Sequence, residues 1–409
     1  MLIKFISNFI CFGIEAAIYV LKGGIKFYIW LIFLLSLMGL LVIGAFMQGV
    51  YGMNVTGLND QVTWGLYLAN FVFLVGLAAA AVTVVFPGYI YNHEPTKKIA
   101  LLGEMLAIAA VNMCMIFVLF HMGRPDRLWH IIPGIGIFNW PNSMLTWDIL
   151  ALNVYLGLNA VCGFYYMYKK FMGERVARWY KPLIYVSCAW ALSIHTVTAF
   201  LMNTMPTRPM WAHSVLPIKF IVTAFAAGPA FMIIAFTIIR NNTDLEIQDR
   251  VFDLLSQIVV WCLGIALFLT ISELVTEFYP GTEHSYSLQF LVLGKHGLNG
   301  LVGFFWVAMV FMVGSFILLL NKNIRKNYTV LPIICGFLFV GIWIEKGLGF
   351  VIPGFTPSPI GEFAIYHPSW VEIINSIAIW AMGFLIFTLL AKAAVGVLLG
   401  EIKFKQYPD

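Results

Sequence analysis

The chain has 409 residues, of which 61% are apolar, 16% aromatic and only 11% charged, with a mean hydropathy of +0.90. That balance excludes a water-soluble fold, whose surface carries far more charge. The net charge of +5 follows the connections between apolar runs, so it is a topology signal and not a nucleic-acid footprint.

A helix needs about 20 consecutive apolar residues to cross a bilayer, and only helices or closed barrels satisfy the backbone in lipid. The apolar runs here are long and uninterrupted, not alternating, which predicts an all-α polytopic membrane protein. Residues 1–26 carry no small-residue cleavage site and read as an interfacial helix on the cytoplasmic face. Ten spans come after it, at roughly 27–50, 63–86, 99–121, 145–168, 183–204, 216–239, 251–276, 297–320, 329–350 and 372–399. Residues 27–62 make the first span and an outer loop, 63–210 a four-helix bundle with the candidate site, and 211–350 a second four-helix bundle. Residues 351–409 supply an outer loop, the last span and a cytoplasmic tail.

Orientation comes from where Lys and Arg fall. With both termini in the cytoplasm, only Arg124, Arg127, Arg208, Lys219, Lys295 and Lys346 of the 24 lie towards the outside. The outer connections are also the longer ones, rich in Gly, Pro, Trp and His, and elaborate loops are where function concentrates. A faint echo links NFVFLVGLAAAAVTVV (70–85) with KFIVTAFAAGPAFMII (219–234), which suggests a parallel repeat of spans 2–5 and 6–9. The six cysteines are scattered and none forms C-x-x-C, so neither a disulfide framework nor an iron–sulfur cluster is expected in this chain, and no metal site.

Three constellations carry chemistry. In HMGRPDR (121–127), Pro125 stops the third span just after His121, leaving Arg124 and Arg127 at the interface. The loop returns with Trp140, and span 4 opens with Trp147 and Asp148. Span 5 adds His195 at mid-helix. A quinone head group needs donors at its carbonyls and a titratable partner, which His121 with Asp148 would supply, with Trp140 and Trp147 sandwiching the ring. The bland alternatives are interfacial anchoring by Arg and Trp, a satisfied core histidine at 195, and an Asp148–Arg124 salt bridge.

The second constellation is Glu104 and Asn112 on span 3, within about 80° of each other around the helix and pointing on towards His121. A stepwise proton path and simple solvation of Glu104 at the inner face both fit. The third is Glu273 and Glu277 ending span 7, His284 in the loop after it, His296 opening span 8, and Glu345–Lys346 in span 9. Adjacent Glu345 and Lys346 cannot face the same way, so each needs a partner on another helix. Inter-helix ion pairing or a proton path are the two readings.

At these residues the chain resembles the NrfD/PsrC family of membrane quinone-reacting subunits. HMGRPDR is similar to the family's H-L-G-R-P element, and NSMLTWD to its S-P-x-x-W-D element, with Met144 where proline is common. Residues 62–82 and 343–372 resemble the ten-span branch with the DsrP, QrcD and HmcC types, the DsrP type most. The resemblance implies oxidation or reduction of menaquinone or ubiquinone near the periplasmic face of a prokaryotic cytoplasmic membrane, in sulfur or sulfate metabolism. It also implies a periplasmic ferredoxin-like iron–sulfur partner, multihaem cytochrome c, further membrane or cytoplasmic redox subunits, and no cofactor bound covalently in this chain. Quinone-site roles carry over to His121 and Asp148. A related branch has an acid six residues after its span 5 histidine, where this chain has Leu201. A secondary transporter, a di-haem cytochrome b-type subunit and a structural anchor are the competing classes.

Overall fold

The computed structural model describes residues 2–358 and 360–404; Lys405 and the end of the tail lie outside the described residues, as does the Lys4 side chain. A helix at Leu2–Leu21 precedes ten helices long and apolar enough to cross a membrane. These are span 1 (Ile25–Val55), span 2 (Leu66–Tyr89), span 3 (Glu94–His121), span 4 (Met144–Phe171) and span 5 (Tyr180–Asn203). Span 6 (Leu216–Asn242), span 7 (Asp249–Phe278), span 8 (Val302–Leu320), span 9 (Leu331–Phe355) and span 10 (Trp370–Leu399) complete the set. The protein is an all-α, multi-pass membrane protein. Ten crossings bring the chain back to its starting side, and the long connections all gather at the end where span 3 finishes, the His121 end.

Boundaries shift from expectation by up to five residues, span 1 running on to Val55, and three of the shifts have local causes. Span 3 begins five residues early, because Pro95 in its first turn suits a helix start. Span 8 begins at Val302, not 297: His296 adopts φ +52° between Gly294 and Gly297, so it belongs to a tight turn before the span and does not open it. Span 9 continues past 350 through a π-helical turn at Ile344–Leu348. One inserted residue there rotates the rest of the helix, and such turns cluster at functional positions.

Span 2 is the axis of the molecule, buried along its whole apolar window. It touches spans 3, 5, 6, 9 and 10. Spans 3 and 4 are neighbours, as are 4 and 5, 6 and 7, 6 and 9, and 8 and 9, while span 5 meets span 6. Span 1 is only 11% buried and leans on span 10. The two echo segments face each other. A Cβ on Gly228 would lie 2.3 Å from that of Ala80, so small residues let spans 2 and 6 approach.

Span 10 is pinned at the His121 end by Glu372, which is fully buried. Its carboxylate accepts from Tyr366 Oη at 2.7 Å, Gly57 N at 2.6 Å and Ser369 N at 2.9 Å, while Ser369 caps the helix in return. Tyr366 Oη accepts from Leu66 N at 2.7 Å, tying the start of span 2 to the same knot.

Candidate functional site

Asp148 lies in the second turn of span 4 and is 2% exposed. The Thr198 hydroxyl on span 5 sits 2.6 Å from Asp148 Oδ1 and 2.9 Å from the Ile194 carbonyl, and its one proton serves one of them at a time. His195, three residues before Thr198 on span 5, shares that face of the helix. It is 1% exposed, and neither ring nitrogen makes a hydrogen bond of good geometry among the described residues. His121 closes span 3 half-buried, with Nδ1 shielded and unpartnered. The neighbouring carbonyl of Phe120 accepts from Gln48 Nε2 of span 1 at 2.5 Å. Asp148, with Thr198 beside it, thus lies towards the end at which His121 closes span 3, and His195 sits one turn deeper than Thr198 on span 5.

Arg124 does not join them. It is exposed and holds Asp126, two residues on, through Nε at 2.9 Å and Nη2 at 2.8 Å. Those two hydrogen bonds keep the Asp126 carboxyl below the usual carboxylate range. The salt bridge to Asp148 therefore does not form: a nearer carboxylate captures the guanidinium first. Trp140 and Trp147 lie with ring centroids 5.2 Å apart, and Trp147 Nε1 donates to Pro141 O at 2.8 Å. They pack on each other, leaving no slot for a third ring between them, so the sandwich expected from the sequence is not the arrangement here.

Glu104 is buried inside spans 2–5, facing Tyr155 and Asn159 of span 4 and Cys188 of span 5 across a gap of about 10 Å³. Its Oε2 has no partner among the described residues. Burial removes the expectation of a solvated Glu104. Asn112 returns its amide to Ile108 O of its own helix. Nine residues at 100° each put His121 on the opposite side from Asn112, which corrects the continuous stripe expected along span 3.

The second half carries a charge cluster whose centre the sequence did not reveal. Lys219 of span 6 reaches Glu273 of span 7 at 2.7 Å and Glu345 of span 9 at 2.9 Å. Lys346 turns the other way, as its adjacency to Glu345 requires, and donates to Phe220 O at 3.2 Å with its ammonium over the Phe220 ring. His213, in the loop before span 6, lies 4.0 Å from Glu273, and burial holds its imidazole below the ordinary range. Glu277 is half-buried one turn on and makes no ion pair among the described residues. His284 sits in a short turn of the loop after span 7 and makes no ion pair among the described residues. The only sequence hint to Lys219 was a cation sitting inside an apolar run.

A family model, "Polysulphide reductase, NrfD", matches residues 54–354. The chain is 22% identical over 411 residues to a selenate reductase subunit of Mesobacillus selenatarsenatis, covering 89% of this chain and 92% of the relative. It is 21% identical over 366 residues to the "Hdr-like menaquinol oxidoreductase integral membrane subunit" of Archaeoglobus fulgidus, covering 84% and 89%. It is 22% identical over 377 residues to a putative dimethyl sulfoxide reductase membrane subunit of Halobacterium salinarum, covering 82% and 84%.

Proposed function

The chain belongs to the polysulphide reductase NrfD family, and on that premise we propose that it is the quinone-reacting membrane subunit of a respiratory oxidoreductase complex. Menaquinone or ubiquinone reacts at the His121 end, on the periplasmic side of the cytoplasmic membrane, with both termini in the cytoplasm. Oxidising a quinol releases two protons and two electrons. His121 and Asp148 take the protons, and His195 orients the head group with a ring nitrogen that makes no hydrogen bond of good geometry among the described residues. The electrons leave to a periplasmic ferredoxin-like iron–sulfur partner and on to multihaem cytochrome c; reduction runs the same steps backwards. Relatives named for menaquinol, selenate and dimethyl sulfoxide chemistry support a quinone-linked complex, and sulfur metabolism is the setting proposed.

The observation that carries this reading is the state of Asp148: a carboxylate 2% exposed, with one hydroxyl partner and no cation partner among the described residues. A buried, unpaired acid in lipid is costly and is retained where it exchanges protons or binds substrate. Glu104 and the Lys219–Glu273–Glu345 cluster are proposed as proton-handling groups. Asn112 is left out of that route by its geometry.

The test is quenching of intrinsic fluorescence by a menaquinol analogue, on the native chain, His121→Ala and Asp148→Asn. Saturable quenching in the native protein and its loss in both variants supports the site. Native-like quenching in the variants moves the site elsewhere. No quenching in any of them removes the reading's main support.

A further inference from the structure

Away from the His121–Asp148 site, a second cavity of about 480 Å³ opens between spans 1, 2, 9 and 10. Its size is that of a small-molecule site. Along span 10 it runs from Ile373 to Phe384, about 16 Å of helix rise, so it is a channel along the membrane normal rather than a bowl. Its walls are the faces of Trp30, Phe33, Trp343 and Trp380.

The polar groups of that lining are nearly all spent. Asn70 Oδ1 accepts from the indole nitrogens of Trp343 and Trp380, both at 2.9 Å. Trp30 Nε1 donates to Thr388 Oγ1 at 3.2 Å. Ser376 is the exception: it is 6% exposed, lines the cavity, and its Oγ has no partner among the described residues. Helical serines ordinarily return the hydroxyl to the carbonyl four residues back, as Ser36, Ser193 and Ser272 do. Ser376 does not, so its proton is left for an occupant.

Charge decides between occupants. Among the described residues no Lys or Arg lines the groove, so none of them meets a phosphate there. What the lining offers is a long aromatic channel and one hydroxyl donor, placed about 9 Å into span 10 from its start. That suits a neutral amphiphile with a ring carbonyl and a branched apolar tail. We infer that the groove between spans 1, 2, 9 and 10 holds a polyprenyl quinone, with Ser376 donating to a ring carbonyl and the tail running past Trp380 to Trp30. The identity of the ligand rests on the quinone reading above; the place does not. Gln48, Tyr67 and Asn375, bonded together at 3.0 and 2.9 Å, stand between this groove and Phe120 beside His121. The groove is therefore a second site, separated from the reacting one by a polar partition.

The experiment uses the full chain in phosphatidylcholine nanodiscs with a photoreactive naphthoquinone carrying a full polyprenyl tail, and maps the labelled peptides. Expected labels fall on residues 30–37 and 373–384, unchanged in Asp148→Asn, weakened about fivefold in affinity in Ser376→Ala. They are absent in Ile377→Trp, which fills the groove from a lipid-exposed position and keeps its label at the His121 mouth if folded. Label confined to peptides around His121 and Asp148 overturns the groove and leaves the proposed function standing. Label nowhere overturns both. Equal labelling of the groove by a photoreactive phosphatidylcholine, undiminished by excess quinone, makes the occupant a bulk acyl chain and overturns the inference.

Discussion

Replacing Lys219 with Met should be among the most damaging single changes in this chain. Met keeps most of the side-chain volume, so little of the effect is a cavity. What is lost is the one ammonium shared by two carboxylates, at 2.7 Å from Glu273 and 2.9 Å from Glu345. The three side chains are 11%, 16% and 8% exposed, so water cannot replace the missing charge. His213 stands at 4.0 Å from Glu273 alone and leaves Glu345 uncovered. Breaking a buried ion pair on one side costs about 3–5 kcal/mol, because the remaining charge is stranded. That is roughly a 150- to 5,000-fold shift in the unfolding equilibrium. The assay is reversible unfolding in mixed micelles, followed by tryptophan fluorescence across a series of denaturing-detergent mole fractions. The triple variant Lys219→Met, Glu273→Gln, Glu345→Gln removes all three charges and should recover most of the loss. If Lys219→Met stays within about 1 kcal/mol of native, or the triple variant is no better than the single, stranded charge is not what the lysine prevents.

Other outcomes rest on single contacts. Asn70→Leu orphans the indole donors of Trp343 and Trp380 together and should cost about 2–4 kcal/mol in the same unfolding assay. Gly228→Ala forces a Cβ against Ala80, pushing spans 2 and 6 apart, and should destabilise by about 1–3 kcal/mol where Gly157→Ala, which meets nothing, does not. Arg124→Gln should leave the unfolding midpoint unchanged, since its pairing with Asp126 is open to water. Burial holds the His213 imidazole below its unfolded value of about 6.5, with Lys219 adding to the effect and Glu273 opposing it. The unfolded chain therefore binds more protons on the acid side, and stability falls as pH drops below about 6.5; His213→Asn should flatten that slope in a thermal melt.

The ten spans were legible because hydropathy in lipid is a local property of about 20 residues at a time. The adjacency rule for Glu345 and Lys346 was legible too, since a helix sends neighbours in different directions. The partner it demanded was not: Lys219 lies 126 residues from Glu345, and its charge alone read as a topology mark. The alternative of an Asp148–Arg124 pair failed for a local reason, because Asp126 lies within reach of the guanidinium without any helix packing. The groove at Ser376 was invisible in principle. It is space left by four helices, and no single segment encodes it.

Glu104 poses the sharpest question about protons. It lies seventeen residues from His121 on one helix, about 25 Å of rise. The polar groups around it are committed: Tyr155 Oη donates to Ala78 O at 3.2 Å, and Asn159 returns its amide to Tyr155 O at 2.8 Å. The gap beside it, about 10 Å³, is near the smallest that admits one water. A proton starting at Glu104 thus meets a closed core, and any transfer to Asp148 requires water to enter as the helices move during turnover. In the assembled complex in liposomes, Glu104→Gln should leave quinone quenching unchanged while lowering the protons moved per electron. An unchanged ratio would make Glu104 a buried structural acid, and the proton exchange proposed for His121 and Asp148 would then draw only on the face of the membrane where the proposed quinone site lies.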